Sequence, residues 1–153
     1  MENQKKIIAM KIRQIKPKVN PCLDTGEIEF FYKLLLICES KQLTGYNYSD
    51  KKLQGFIKNK NIVLTYNKKR EKWKEIARES AQNEIQFRNN KKSISASLFV
   101  HLRNAFAHGY IEKDKNTNVL HFQNVYQGEC KMDGKMTFDT LKELIENVLK
   151  TKK

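Results

Sequence analysis

The chain of 153 residues sets 30 Lys plus Arg against 17 Asp plus Glu, for a formal charge of +13 and a pI near 9.6. That length suits one domain with a real core, needing no disulfide or metal staple, and no stretch approaches the roughly 18 apolar residues of a membrane span. A charge so far from zero points to a polyanionic partner, nucleic acid first and an anionic membrane surface second, against the plainer reading of a lysine-rich solubilising surface. Cys22, Cys38 and Cys130 are unevenly spaced with no Cys-x-x-Cys, and Met1 to Lys6 lack the apolar run of a secretory signal. A cytoplasmic protein with reduced thiols and no membrane partner is therefore expected.

Residues 1–25 read as a basic N-terminal arm, and residues 26–153 as one helical domain. In the arm, Ile7, Ile8, Met10, Ile12 and Ile15 suit a short helix or an extended segment, and Pro17 and Pro21 end any regular structure there. The arm either packs on the body or folds over a partner. Residues 27–41 read as a strong helix, apolar around much of its circumference through Phe30, Phe31, Leu34, Leu35, Ile37 and Cys38, and so central in a bundle. Asp24 or Thr25 is its expected cap. Ser49 is positioned to cap a short helix carrying Leu53, Phe56 and Ile57. Residues 62–66 fit either a buried strand or a helix entry. From Lys68 to about Glu84 the pattern predicts a long charged helix with Trp73, Ile76, Ala77 and Ser80 as its buried seam. Lys68, Lys69, Arg70, Lys72 and Lys74 crowd its start, where cations are unfavourable, which fits either contact with phosphates or a solvated lysine face. Arg88, Lys91 and Lys92 lie in a polar, basic linker about 20 Å, one helix length, from the end of the next helix.

That next helix, residues 93–108, organises the chain. Ile94, Leu98, Leu102, Ala105 and Phe106 recur at steps of three and four and form its core stripe. At about 100° per residue, Arg103, Asn104 and His108 fall away from that stripe, with Asn104 and His108 one turn apart on one face. Ala96, Val100, Arg103 and Ala107 form a second, narrower seam, which fits a helix from another copy of the chain. Ser93 or Ser95 caps the start and Gly109 stops the end. Beyond it, residues 110–112 and 119–122 read as short strands, and Asp133-Gly134 is the strongest turn signal of a further hairpin. His121 reads as a surface strand residue. Residues 138–150 close the chain as a helix with Leu141, Leu144, Ile145 and Val148 as its stripe, capped by Thr137 or Thr140.

Arg103, Asn104 and His108 resemble, residue by residue, the Arg-x4–6-His motif of HEPN domains, and Tyr110 matches the His-x-Tyr extension of HEPN toxins paired with nucleotidyltransferase antitoxins. A looser likeness runs from Ser93 to the C-terminus, while the first ninety residues carry no family signature. The resemblance implies a mainly α, HEPN-like helical bundle, with a small antiparallel β hairpin region at about 110–138 before the C-terminal helix. It also implies a composite site at a homodimer interface along the motif helix, and an antitoxin or nucleotidyltransferase as a further partner, with Tyr110 a candidate modification site for a nucleotidyltransferase, against the plainer reading of a strand aromatic packed on the core.

The residue chemistry is compatible with this. Imidazole titrates near working pH and suits proton transfer by His108. The planar guanidinium of Arg103 stays charged and suits a phosphorane, and Asn104 can orient either group. One histidine is few for both acid and base, and a two-fold dimer supplies a second. Lys68, Lys69, Arg70, Arg88, Lys91 and Lys92 are weaker RNA-contact candidates. No His-Glu-x-x-His, glycine-rich phosphate loop or serine elbow occurs, so no metal or cofactor is expected. The leading expectation is a metal-independent endoribonuclease on single-stranded RNA, in the role of a toxin or defence effector. The alternatives are a non-catalytic RNA- or nucleotide-binding module of the same fold, or a structural partner domain of a larger complex.

Overall fold

Residues 111–137 alternate in a way that pairs strands, and in the computed structural model, which describes residues 13–18, 23–40, 43–66, 73, 83–89 and 93–152, they are the centre of the molecule. The described elements run α1 (Thr25–Glu39), α2 (Lys51–Asn59), β1 (Val63–Thr65), β2 (Glu84–Phe87), α3 (Ile94–Ala107), β3 (Ile111–Lys113), β4 (Val119–Tyr126), β5 (Glu129–Thr137) and α4 (Phe138–Leu149). The strands form one five-stranded sheet in the order β1-β2-β5-β4-β3. β1 and β2 are parallel, and every other pairing is antiparallel. The fold is therefore α/β with a mixed sheet, which corrects the expected mainly α bundle with a small hairpin region at 110–138.

Side chains alternate across a strand, and the sheet uses that alternation unevenly. Its helix-facing side carries Ile85, Phe87, Ile111, Leu120, Phe122, Met132 and Met136, all fully buried. Its other side carries buried Gln86, Gln123, Asp133 and Lys135. Such polar burial is tolerable only with hydrogen bonds. Among these, His121 Nε2 donates to Asp133 Oδ1 at 2.8 Å and Gln123 Nε2 donates to the same oxygen at 3.1 Å. His121 is thus half-buried and paired, not a free surface residue. Residues 13–18 lie over this side. Ile15 N–H donates to Gln123 Oε1 at 2.7 Å, Gln123 Nε2 donates to the Arg13 carbonyl at 2.8 Å, and the Arg13 guanidinium grips both oxygens of Glu112 at 3.2 and 2.9 Å.

Two further expectations change. Asp133-Gly134 is not a turn: both residues sit inside β5, and the Phe122 ring occupies the space a Cβ on Gly134 would need, 2.3 Å from its place. The β4–β5 turn is instead at Gln127 and Gly128, whose φ values of +51° and +75° fit the left-handed pair that a tight hairpin demands. Glu84 begins β2 and Asn83 before it is not helical, so the long helix does not extend to them, and the rest of that helix lies outside the described residues apart from Trp73, which is buried.

The central helix is α3, not α1. α3 packs on β4 with one side and on α1 with another, burying Ser95, Ala96, Ser97, Phe99 and His101 besides its apolar stripe. α1 starts with a capping box: Asp24 accepts from Glu27 N–H, and the Glu27 carboxylate accepts from Asp24 N–H, both at 2.9 Å. It buries only Glu27, Phe31 and Leu34, leaving Ile28, Tyr32 and Leu36 exposed. α2 is capped by Asp50 rather than Ser49, and packs with α4, which Thr137 caps.

Candidate functional site

The site is built on the last turn of α3. Ser93 opens the helix, its hydroxyl accepting from Ala96 N–H. Gly109 closes it: Gly109 N–H donates to the Phe106 carbonyl at 3.2 Å and Tyr110 N–H to the Ala105 carbonyl at 2.9 Å. These two bonds are the Schellman arrangement, which needs a left-handed residue at the Gly109 position, and Gly109 has φ +74°. A second constraint also demands glycine there. A Cβ would stand 2.1 Å from the Lys18 carbonyl oxygen, because Lys18 N–H donates to the Gly109 carbonyl at 3.0 Å as the N-terminal segment crosses the helix end.

Packing fixes the residues on either side. The Phe106 ring stacks on Phe31 of α1 at 4.9 Å between centroids, with an interplanar angle of 6°. Tyr110, half-buried, accepts from Gln123 N–H of β4 through its carbonyl at 2.9 Å. Between these anchors His108 is exposed. It faces two clefts. One, of about 830 Å³, is largely apolar and includes Lys18, Ile28, Tyr32 and Phe106. The other, of about 220 Å³, includes Asn104, Asn124, Tyr126 and Lys131.

Arg103 and Asn104 are joined directly, Arg103 Nη1 donating to Asn104 Oδ1 at 3.0 Å. The Nε of Arg103 is buried with no acceptor among the described residues. Such an orphan donor is costly. The charge of Arg103 is also felt on α1. Burial pushes the Cys38 thiol up, and the Arg103 charge pulls it partly back. No bond joins Arg103 to His108 among the described residues. The structure thus brings Arg103 to Asn104, and Asn104 to the cleft of His108. Of the outer seam, Ala96 is buried, Val100 and Arg103 are half-buried, and Ala107 is exposed, so the open part lies next to His108.

Of the weaker candidates, Lys68, Lys69, Arg70, Lys91 and Lys92 lie outside the described residues. Arg88 pairs with Glu129 at 3.3 Å, and its carbonyl accepts from His101 Nε2 at 2.8 Å. It therefore sits beside the middle of α3, nearer His108 than the full helix length expected from the linker. His101 is committed on both nitrogens, the second facing the Asn124 amide at 2.8 Å. Among the described residues no three His, Cys, Asp or Glu side chains converge on a possible metal position, and no helix is long and apolar enough to cross a membrane. Sequence reading missed Asn124, Tyr126 and Lys131 of the smaller cleft. An aromatic beside the Gln127-Gly128 turn was the available signal.

Comparisons with curated proteins and with solved structures found no match to the chain. A family model described as HEPN pEK499 p136 matches residues 7–152. The match takes in nearly all of the first ninety residues, which carry no legible signature, as well as the helix bearing Arg103, Asn104 and His108. This chain belongs to the HEPN family.

Proposed function

We propose that the protein is a metal-independent endoribonuclease acting on single-stranded RNA, with a composite site formed by two copies of α3. HEPN membership supports a nuclease or RNA-related function in general. The observation that carries the finer reading is the half-buried Arg103 guanidinium, oriented by Asn104, on the same helix end as an exposed His108. In the proposed reaction, an imidazole takes the ribose 2′-hydroxyl proton and the 2′-oxygen bonds to phosphorus. The P–O5′ bond then breaks, and the leaving oxygen takes a proton from a protonated imidazole. The products are a 2′,3′-cyclic phosphate and a 5′-hydroxyl, with no water consumed. Arg103 neutralises the phosphorane as its charge develops.

A second copy supplies the second imidazole. The apolar side chains left open beside the motif, Ile28, Tyr32 and Leu36 on α1 with Ala107 on α3, suit that contact. In this reading the role is that of a toxin or defence effector. An antitoxin or nucleotidyltransferase is the further partner, and Tyr110 is its target.

The test is cleavage of single-stranded RNA in EDTA by the wild type, His108→Ala and Arg103→Ala, with product ends identified by mass. EDTA-resistant cleavage giving cyclic phosphate ends, lost in both variants, is expected. Cleavage indifferent to both substitutions sinks the assignment, and RNA binding without cleavage leaves a binding module of the same fold.

A further inference from the structure

We infer that Tyr126 and Lys131 form a nucleotide subsite beside His108, Tyr126 stacking a base of the RNA strand and Lys131 contacting its phosphate. This rests on the RNA reading above and adds where the strand runs. Tyr126 ends β4 and is 59% exposed, one of the few large apolar side chains left open among the described residues. The left-handed turn at Gln127 and Gly128 brings β5 straight back, so Lys131 returns beside it, its Nζ 5.4 Å from the centre of the Tyr126 ring. Both residues line the cleft that holds Asn104 and His108.

A lysine over an exposed tyrosine gains little, because water screens it. A base stacked on the same ring gains more. An arriving nucleotide therefore takes the ring face, and the ammonium swings to the phosphate next along the strand. A cleft of about 220 Å³ is small, so it accepts one nucleotide and leaves the chain on either side outside. Stacking is indifferent to base identity, since every base offers a π-face. The subsite thus positions a phosphate next to His108 without reading a sequence.

The experiment is binding of a single-stranded 2′-O-methyl oligonucleotide, which has no free 2′-hydroxyl to react, by fluorescence anisotropy with the full chain. Tyr126→Ala should weaken binding about tenfold, within the range stacking supports, and Tyr126→Phe should not. The Tyr126→Ala penalty should vanish on an abasic strand of the same backbone. Lys131→Ala should lower the slope of log K against log salt by about 0.7, one phosphate contact on a single strand. Tyr126 is exposed at a hairpin end, and Tyr126→Phe controls for any disturbance of the turn. Tight binding by the wild type with both alanine variants unchanged overturns the subsite alone. No binding by the wild type overturns the subsite and the RNA reading together.

Discussion

Replacing Gly109 with alanine tests how the end of α3 is held. A Cβ at φ +74° costs about 1–2 kcal/mol from left-handed crowding. The same Cβ would lie 2.1 Å from the Lys18 carbonyl oxygen and 2.9 Å from its nitrogen. Backbone cannot rotate aside as a side-chain tip can, so Lys18 must retreat by about an ångström to reach ordinary contact. That breaks the 3.0 Å bond from Lys18 to the Gly109 carbonyl, adding about 0.5–1.5 kcal/mol. Gly128 is the internal control, for its φ is +75° but nothing lies within 4 Å of its missing Cβ. Gly128→Ala therefore meets only the first cost. At about 2–4 °C per kcal/mol for a chain of this size, Gly109→Ala should melt a few degrees below Gly128→Ala by calorimetry. On the proposed reading, RNA cleavage measured well below both midpoints should fall up to about a hundredfold in Gly109→Ala, as a displacement of about 1 Å at a catalytic group can cost that much. Equal melting shifts would mean that Lys18 is not seated on Gly109.

Other expectations concern the supports of that helix end. Lys113 Nζ sits 2.8 Å from the Glu27 carboxylate, whose residue is 1% exposed, and this hydrogen bond raises the Lys113 pKa. Lys113→Met removes the counter-charge of a buried carboxylate, leaving Glu27 its bond from Asp24 N–H, and should cost about 3 kcal/mol in urea denaturation. Adding Glu27→Gln should recover much of it, and an unchanged midpoint in Lys113→Met would show that water already reaches Glu27. The Arg13 hydrogen bonds hold the Glu112 carboxyl below its ordinary range. A depressed folded-state pKa contributes stability above the unfolded value of about 4.3 and loses it as pH falls through the folded value. Hydrogen-exchange protection of the Ile15 amide should therefore decline below about pH 4 in the wild type but not change in Glu112→Gln. Arg103 favours the Cys38 thiolate, so peptide-resolved alkylation of Cys38 at fixed pH should slow in Arg103→Ala. A faster rate would contradict the placement of the guanidinium.

The motif and its helix were legible because both follow local rules. The 3.6-residue period located the α3 core stripe, Ser93 and Gly109 marked its ends, and spacing put Asn104 and His108 on one face. The sheet was legible only in part: residues 110–112 and 119–122 read as strands, but β5 did not read as one strand, for a definite reason. β5 reads Glu-Cys-Lys-Met-Asp-Gly-Lys-Met-Thr, and its polar Asp133 and Lys135 are buried. Its polar and apolar residues alternate as a strand's do, but Asp133-Gly134 breaks the run with a turn signal, and nothing local shows that the polar face is itself buried in a hydrogen-bonded layer. The partners of that layer, Arg13 and Glu112 or Ile15 and Gln123, lie 99 and 108 residues apart. Gly134 misled for a related reason: a glycine in a strand marks close approach, here by the Phe122 ring, as well as it marks a turn. α1 misled by composition. Its apolar residues exceed what its single buried face can take, and the excess, Ile28, Tyr32 and Leu36, stands open beside the motif.

That excess bears on why His108 is where it is. Three separate elements hold the end of α3: α1 through the Phe31–Phe106 stack, the N-terminal segment through Lys18 and Gly109, and β4 through Gln123 and Tyr110. A helix stop needs only its glycine and backbone bonds, and none of these ties uses the imidazole of His108. Rigid anchoring on both sides of an exposed, uncommitted side chain raises the precision with which it is presented, and precision is of use only to something outside the fold. The same holds for Arg103, whose Nη1 is spent on fixing its orientation while its Nε–H has no acceptor among the described residues. In a purely structural helix, selection for stability would favour satisfying that donor or removing it. On the proposed reading, an RNA phosphate and a second copy of the chain complete the site beside the poorly covered apolar surface of α1.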